Sequence, residues 1–198
     1  MRRLLLALAL LGLLPGCDNG FLTQQGYEPA QPIAFSHALH SGQFQMACEY
    51  CHFGAAQSRH AGVPPAQLCL GCHSQVKKDA PQIQALAKAV AENRPIEWVR
   101  VHRLPDFAWF SHQNHLSAGV ECRTCHGPVE TIVRIPQDQT MTMGWCLDCH
   151  RDPDRYRRPV SEVTNMRWTP PKDAAALAAS LSRERPVHPP VNCSGCHR

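Results

Sequence analysis

Five copies of one short pattern, C-x-x-C-H, carry the chemistry of this sequence: Cys48/Cys51/His52, Cys69/Cys72/His73, Cys122/Cys125/His126, Cys146/Cys149/His150 and Cys193/Cys196/His197. The pattern sets two thiols and an imidazole on a single turn of chain. That is the signature of covalent c-type haem attachment, with two thioether bonds and one axial ligand to iron. Zinc is the rival, because C-x-x-C pairs bind it two pairs to a site. Five pairs leave a remainder when divided into four-coordinate sites, and zinc ribbons do not require a histidine after each pair. The expectation is five covalently bound c-type haems, with His52, His73, His126, His150 and His197 as the proximal iron ligands.

Each iron then needs a second axial ligand. Seven other histidines remain: His37, His40, His60, His102, His112, His115 and His188. Four of them stand in two copies of F-S-H-x-x-H, Phe35 to His40 and Phe110 to His115. Residues three apart share a helical face, but two such imidazoles cannot both reach one iron. Each pair is therefore expected to serve two haems and to draw them together. His102, in an extended segment between the two copies, is the expected fifth distal ligand. His60 and His188 lie in loops, where a surface histidine is the ordinary alternative. Met141 and Met143 are further candidates and would raise the potential of a haem they ligated; their ordinary role is packing on a porphyrin face, also expected of Trp145, Phe35 and Phe110. With two protein ligands per iron no site stays open, which favours electron transfer over catalysis at haem. No triad, phosphate loop or paired-carboxylate motif is present.

The elements that must position these residues form an internal repeat. The first unit reads FSHALH, CEYCH, CLGCH and the second FSHQNH, CRTCH, CLDCH, with nearly equal spacing throughout. This gives a dihaem module over residues 33–80, a linker helix and extended segment over 81–107, a second dihaem module over 108–158, and a C-terminal wrap with the fifth haem over 159–198. Gln82–Asn93, between Pro81 and Pro95, is predicted as a helix of about three turns. Asp173–Arg185 is predicted as another, and short helices are expected at each C-x-x-C-H. The expected fold is mainly irregular with short α-helices, a multihaem cytochrome c wrapped around five haems. Long loops are acceptable in it because haem fills the interior.

Composition agrees. Charged residues make up 18% of the 198, aromatics 7%, and there are 17 prolines, too little for a large protein core. The chain is accordingly expected to be unfolded without haem. The formal charge of +4 does not indicate an anionic partner; haem propionates would reverse it, and the basic residues are expected to solvate the surface and pair with propionates. The N-terminal segment over residues 1–17 reads as an export signal: Arg2 and Arg3, the apolar run Leu4–Leu14, then Cys17. That run is shorter than the roughly 20 residues that span a bilayer. Cys17 is placed as a lipoprotein acceptor, with an ordinary signal peptide as the alternative, and residues 18–32 as a polar tether. All ten other cysteines belong to the motifs, so no disulfide is expected.

The F-x-H-x-x-H element followed by C-x-x-C-H is similar to the small multihaem cytochromes of the c7/c3 class. More closely, WVRVHRLPDFAWFSHQNH, GVECRTCHGPV, TMGWCLDCHRDPDRYRRP and the terminal NCSGCHR resemble the pentahaem cytochrome c subunit of bacterial alternative complex III. That resemblance covers most of the chain from Ile33 to Trp168 and the last six residues. It implies a haem chain rich in bis-histidine ligation, with His102 in a shared string. It also implies menaquinol as donor through iron–sulfur and quinol-binding membrane subunits, a downstream cytochrome or oxidase as acceptor, and a place on the periplasmic face of the bacterial cytoplasmic membrane. The other readings are a free-standing lipid-anchored periplasmic shuttle and a multihaem reductase, which would need a five-coordinate iron. The spacing of the histidine pairs makes one direct prediction. His112→Ala and His115→Ala should each leave a different haem five-coordinate, seen as high-spin signals at separate sites in the optical and EPR spectra. Loss confined in both variants to the haem on Cys122 and Cys125 would refute it.

Overall fold

The computed structural model describes residues 23–197. Its elements are short helices joined by long irregular stretches. The motif helices are α1 (Cys48–Cys51), α2 (Ala66–His73), α5 (Cys122–His126), α6 (Met143–Arg151) and α8 (Cys193–Cys196). Between them lie α3 (Pro81–Ala91), α4 (His112–Ser117) and α7 (Ala174–Glu184). No strand forms among the described residues; there are only two isolated antiparallel bridges, Ala108 with His197 and Val120 with Arg157.

Local chemistry explains the helices. Pro81 opens α3 with its φ already helical, and the chain leaves it through Asn93 at φ 51° with Arg94 N–H bonded back to Ala89 at 2.8 Å. Asp173 caps α7 by accepting from Ala176 N–H at 2.9 Å. Thr142 and Asn192 cap α6 and α8 in the same way, accepting from Trp145 and Gly195. Both fall one residue before a motif helix, so capping fixes where the cysteine turn begins.

The two repeats are built alike with one adjustment. The first has one more residue between its second histidine and the following cysteine. Where the second repeat forms α4, the first forms a π-helical stretch, Ala38–Gln43. The closing bond shows the insertion being absorbed: Met46 N–H reaches His40 carbonyl at 3.0 Å, whereas Val120 N–H reaches His115 at 3.0 Å over one residue fewer. A wider turn takes up the extra residue without displacing the cysteines that follow.

The repeats hold each other reciprocally. The N-terminus of α4 donates from His112 and Gln113 to the carbonyls of Arg59 and Ser58, in the loop after the first motif. The π-helical stretch donates from Ala38 to Ile132, in the loop after the third motif, at 3.0 Å. Gly42 permits this second contact, because a Cβ there would collide with the Glu130 carbonyl oxygen.

The protein's own apolar core is small. Among the described residues the buried apolar side chains are Ala55, Leu86, Ala89, Val120 and Val163. Large apolar groups such as Phe44, Phe53, Phe107 and Met143 stand exposed. Instead, arginines clamp the irregular C-terminal part. Arg157 donates to the Ala118 carbonyl at 2.7 Å, Asp154 at 2.7 Å and the Arg185 carbonyl at 2.6 Å. Arg158 pairs with Glu121 and lies over the Trp168 ring at 4.4 Å. The Arg- and Pro-rich stretch over residues 151–172, which reads as an irregular wrapping segment, carries 3-10 turns at Pro153–Tyr156 and Val160–Glu162 beside this clamp.

One expectation needs revision. Residues 23–32 are not a free tether. Gly26 and Tyr27 exchange backbone bonds with Gln137, whose fully buried side chain donates to Thr23 carbonyl at 2.6 Å. Gln31 bonds both the N–H and carbonyl of Val99. Polar side chains that composition assigns to a linker are here used to pair backbone groups that no sheet satisfies. Phe35 and Phe110 pack on their own histidines: each stacks on the second imidazole at 4.4 Å and meets the first edge-on at 4.9 Å. The proposed signal, Cys17 and residues 18–22 lie outside the described residues. No helix among the described residues is long and apolar enough to cross a membrane.

Removing the arginine clamp tests this account. Arg157→Ala removes a buried guanidinium and its bonds to the partly exposed Asp154 and to two carbonyls, and is expected to cost roughly 1.5–3 kcal/mol. Arg155→Ala removes only an exposed pair with Asp152 at 3.7 Å and should cost less than about 0.5 kcal/mol. Chemical denaturation of the holo-protein measures both.

Candidate haem-binding site

An imidazole presents one nitrogen to a metal when its other nitrogen carries the proton and donates it elsewhere. A carbonyl oxygen can only accept, so each Nδ1 found against a carbonyl is an N–H donor and leaves Nε2 bare. Six of the histidines meet this condition. His40 donates to Ser36 at 2.9 Å and His115 to Ser111 at 2.8 Å, the residue four back in each case. His112 donates to Arg59 at 2.9 Å. Among the motif histidines, His52 donates to Gly62 at 2.7 Å, His73 to Val76 at 2.9 Å and His150 to Pro190 at 2.7 Å.

These bare nitrogens belong to rings set in opposed pairs. A metal–imidazole bond is about 2.0 Å and a ring nitrogen lies about 1.1 Å from its ring centre, so two imidazoles across one iron have centroids about 6.2 Å apart. His37 and His52 stand at 6.4 Å with planes 4° apart, and His112 and His126 at 6.3 Å and 8°. His40 and His73 stand at 6.1 Å, as do His115 and His150, with planes tilted by 59° and 36°. Within each F-S-H-x-x-H pair, then, the two imidazoles face different motif histidines. The four pairs have the separation that a shared iron requires, and the donor set fits c-type haem. No group of three or more His, Cys, Asp or Glu converges among the described residues as a zinc site would need. The motif cysteines are all unpaired thiols.

Burial tunes the set. It holds the His126 imidazole far down, to about 3, with His102, His112, His52 and His37 nearby adding to the effect. It lowers His37 to about 4, with help from His52 and His40, and it also lowers His115. These rings are therefore neutral at physiological pH, the form that binds iron. His37 differs from its counterpart His112, because its Nδ1 is buried with no hydrogen-bond partner.

The thiols show which sites adjoin. Burial pushes Cys51 up, and Cys69 of the second motif adds to it. Contact with Cys48 of the first motif pushes up Cys122 of the third. Those two sulfurs also sit beside successive carbonyls, Thr164 and Val163, each at 3.9 Å. Burial pushes Cys125 up to about 12, with Cys149 and Cys146 of the fourth motif contributing. Cys146 is raised by burial and by Cys196 of the fifth. Only Cys72 and Cys193 are exposed among the motif cysteines.

The other expected ligands are placed differently. His102, the expected fifth distal ligand, adjoins the third motif. Its ring lies edge-on to His126, centroids 4.2 Å apart, with its Nε2 3.2 Å from His126 Nδ1. Segment 96–107 runs past the third motif, which puts His102 behind that motif's histidine. The ring beside His197 is Phe107, at 5.5 Å. His60 and His188 are exposed, and no ring contact among the described residues brings either to a motif histidine. Met143 is 66% exposed, and Met141 is half-buried with φ at 51°. Sequence reasoning missed the carbonyls of Arg59, Gly62 and Pro190. Backbone acceptors in loops leave no residue-type signal.

Paired imidazoles above repeated C-x-x-C-H turns define a multihaem c-type cytochrome, and comparison with known proteins agrees. Residues 108–198 match the family model described as cytochrome c7 and related cytochrome c. The chain is also 30% identical over 141 residues to the menaquinone reductase, multiheme cytochrome c subunit, of Nitratidesulfovibrio vulgaris; the match covers 61% of this chain and 67% of that protein. The chain belongs to the c7-type multihaem cytochromes c.

Proposed function

We propose that the chain is a five-haem electron wire and a subunit of a membrane-bound, quinol-oxidising respiratory complex of the alternative complex III kind, working on the periplasmic face of the membrane and lipid-anchored through Cys17. The observation that carries this reading is the set of four opposed imidazole pairs at 6.1–6.4 Å. When bound, haem supplies one-electron chemistry, and the residues around it decide what that chemistry is used for. The cysteines fix each group to one helical turn. The paired histidines, His37/His52, His40/His73, His112/His126 and His115/His150, would hold four of the groups from both sides and leave no position for a substrate, and His197 would hold the fifth. Sites closed in this way exchange electrons with one another and with partners.

The thiol contacts support a linear order of sites: His73, His52, His126, His150, His197. It places the two sites with an exposed cysteine, those of Cys72 and Cys193, at the two ends. Electrons would enter at one end and leave at the other. The division into two dihaem units, 33–80 and 108–158, with a fifth haem in 159–198, follows the same order. The relative's printed name, a menaquinone reductase subunit, supports a quinone-linked complex with iron–sulfur and membrane subunits as partners.

The test combines three measurements on protein isolated from membranes. Intact-mass analysis should give five haem additions on a chain beginning at lipid-modified Cys17. EPR of the oxidised protein should be dominated by low-spin signals. A tagged copy should co-purify with multi-pass membrane subunits, in a preparation that menaquinol reduces. A dominant high-spin spectrum would point to a reductase, and isolation of a lone chain to a free shuttle.

A further inference from the structure

Three of the four motif histidines with an opposed partner rest their outer nitrogen on a backbone carbonyl. His126 does not. Its Nδ1 meets the Nε2 of His102 at 3.2 Å, the rings 75° apart and edge-on. This is the motif histidine most deeply surrounded by other imidazoles, at the middle of the proposed order of sites.

We propose that His102 is a positioning residue for the central site: it accepts the His126 Nδ1 proton, fixes the orientation of that ring and increases its electron donation to iron. The proposal rests on His126 being an iron ligand, as set out above. An imidazole nitrogen is a stronger base than a peptide carbonyl. It therefore draws the shared proton further from His126 and gives that ring more imidazolate character. Greater donation favours the oxidised iron, so the central haem is held at a lower potential than a carbonyl partner would give it. Outer partners of metal-bound histidines have this dual role, setting ring orientation and ligand basicity. The geometry also separates this role from direct ligation. The Nε2 that would bind a metal is the atom turned toward His126, and His112 already stands opposite His126 at the iron spacing.

The test uses His102→Leu and His102→Gln in the full holo-protein, followed by EPR-monitored potentiometric titration. In His102→Leu no high-spin signal should appear beyond any in the unmodified protein, while one haem moves to a more positive potential with altered g-values. In His102→Gln the side-chain amide oxygen accepts the same proton as a weaker base, so the shift should have the same sign and be smaller than in His102→Leu. A new high-spin signal in either variant would show that His102 is itself an axial ligand and overturn the proposal. So would unchanged potentials and g-values in both. Should His102→Leu fail to assemble, the glutamine variant alone decides, since a low-spin spectrum with the central potential moved in the positive direction supports the acceptor role, and an unchanged potential or a new high-spin signal refutes it. Failure of the underlying reading is distinct, because it would appear as high-spin haem in the unmodified protein.

Discussion

The arrangement of the paired imidazoles depends on keeping one nitrogen bare in the six histidines whose Nδ1 meets a carbonyl. Imidazole has two nitrogens and, when neutral, one proton, so the ligand-ready form requires an acceptor for that proton at a fixed place. The chain supplies it mostly from its backbone. Ser36 and Ser111 serve the second histidine of each pair from one turn back, while Arg59, Gly62, Val76 and Pro190 serve from loops. Those loops are consequently part of the site. Their long irregular paths, which would count against an ordinary domain, bring carbonyls to ring nitrogens that helices cannot reach.

The same requirement explains the reciprocal contacts of the repeats. The carbonyl that accepts from His112 belongs to the other repeat, so α4 is ready to bind only when the loop after the first motif is docked on it. The π-helical stretch docks on the second repeat through Ala38 and Gly42, but the matching acceptor for His37 is absent. His37 and His112, at matching positions of near-identical sequence, thus differ in whether Nδ1 has an acceptor.

Much of this was legible from residue types. The C-x-x-C-H units and F-S-H-x-x-H pairs, with their spacing, pointed to short helices, two repeats and histidines facing different partners. Pro81 and Asp173 marked helices that the structure places within a residue or two of the expected limits. The illegible parts are those in which backbone does the work. A polar, Gly- and Pro-containing segment reads as linker whether or not its peptide groups are paired, and only Gln137 in three dimensions shows that residues 23–27 are docked. His102 presents a different difficulty. A histidine in an extended segment looks the same in sequence whether it binds a metal or supports the residue that does.

The order of sites follows from the way the repeats are joined. Each repeat holds a first and a second motif, and the reciprocal contacts relate the repeats as two halves facing one another. Such a joint brings the two first motifs together, as the Cys48 and Cys122 contact shows, and sends the second motifs outward. A head-to-head pair of this kind is symmetrical, and a symmetrical row of sites has no direction. The C-terminal motif removes that symmetry, because Cys196 adjoins Cys146 of the fourth motif. The fifth motif extends one end only. In the proposed wire that single addition makes the two termini different surfaces, one at Cys72 and one at Cys193, and two different surfaces are the least that a carrier between a donor and an acceptor requires.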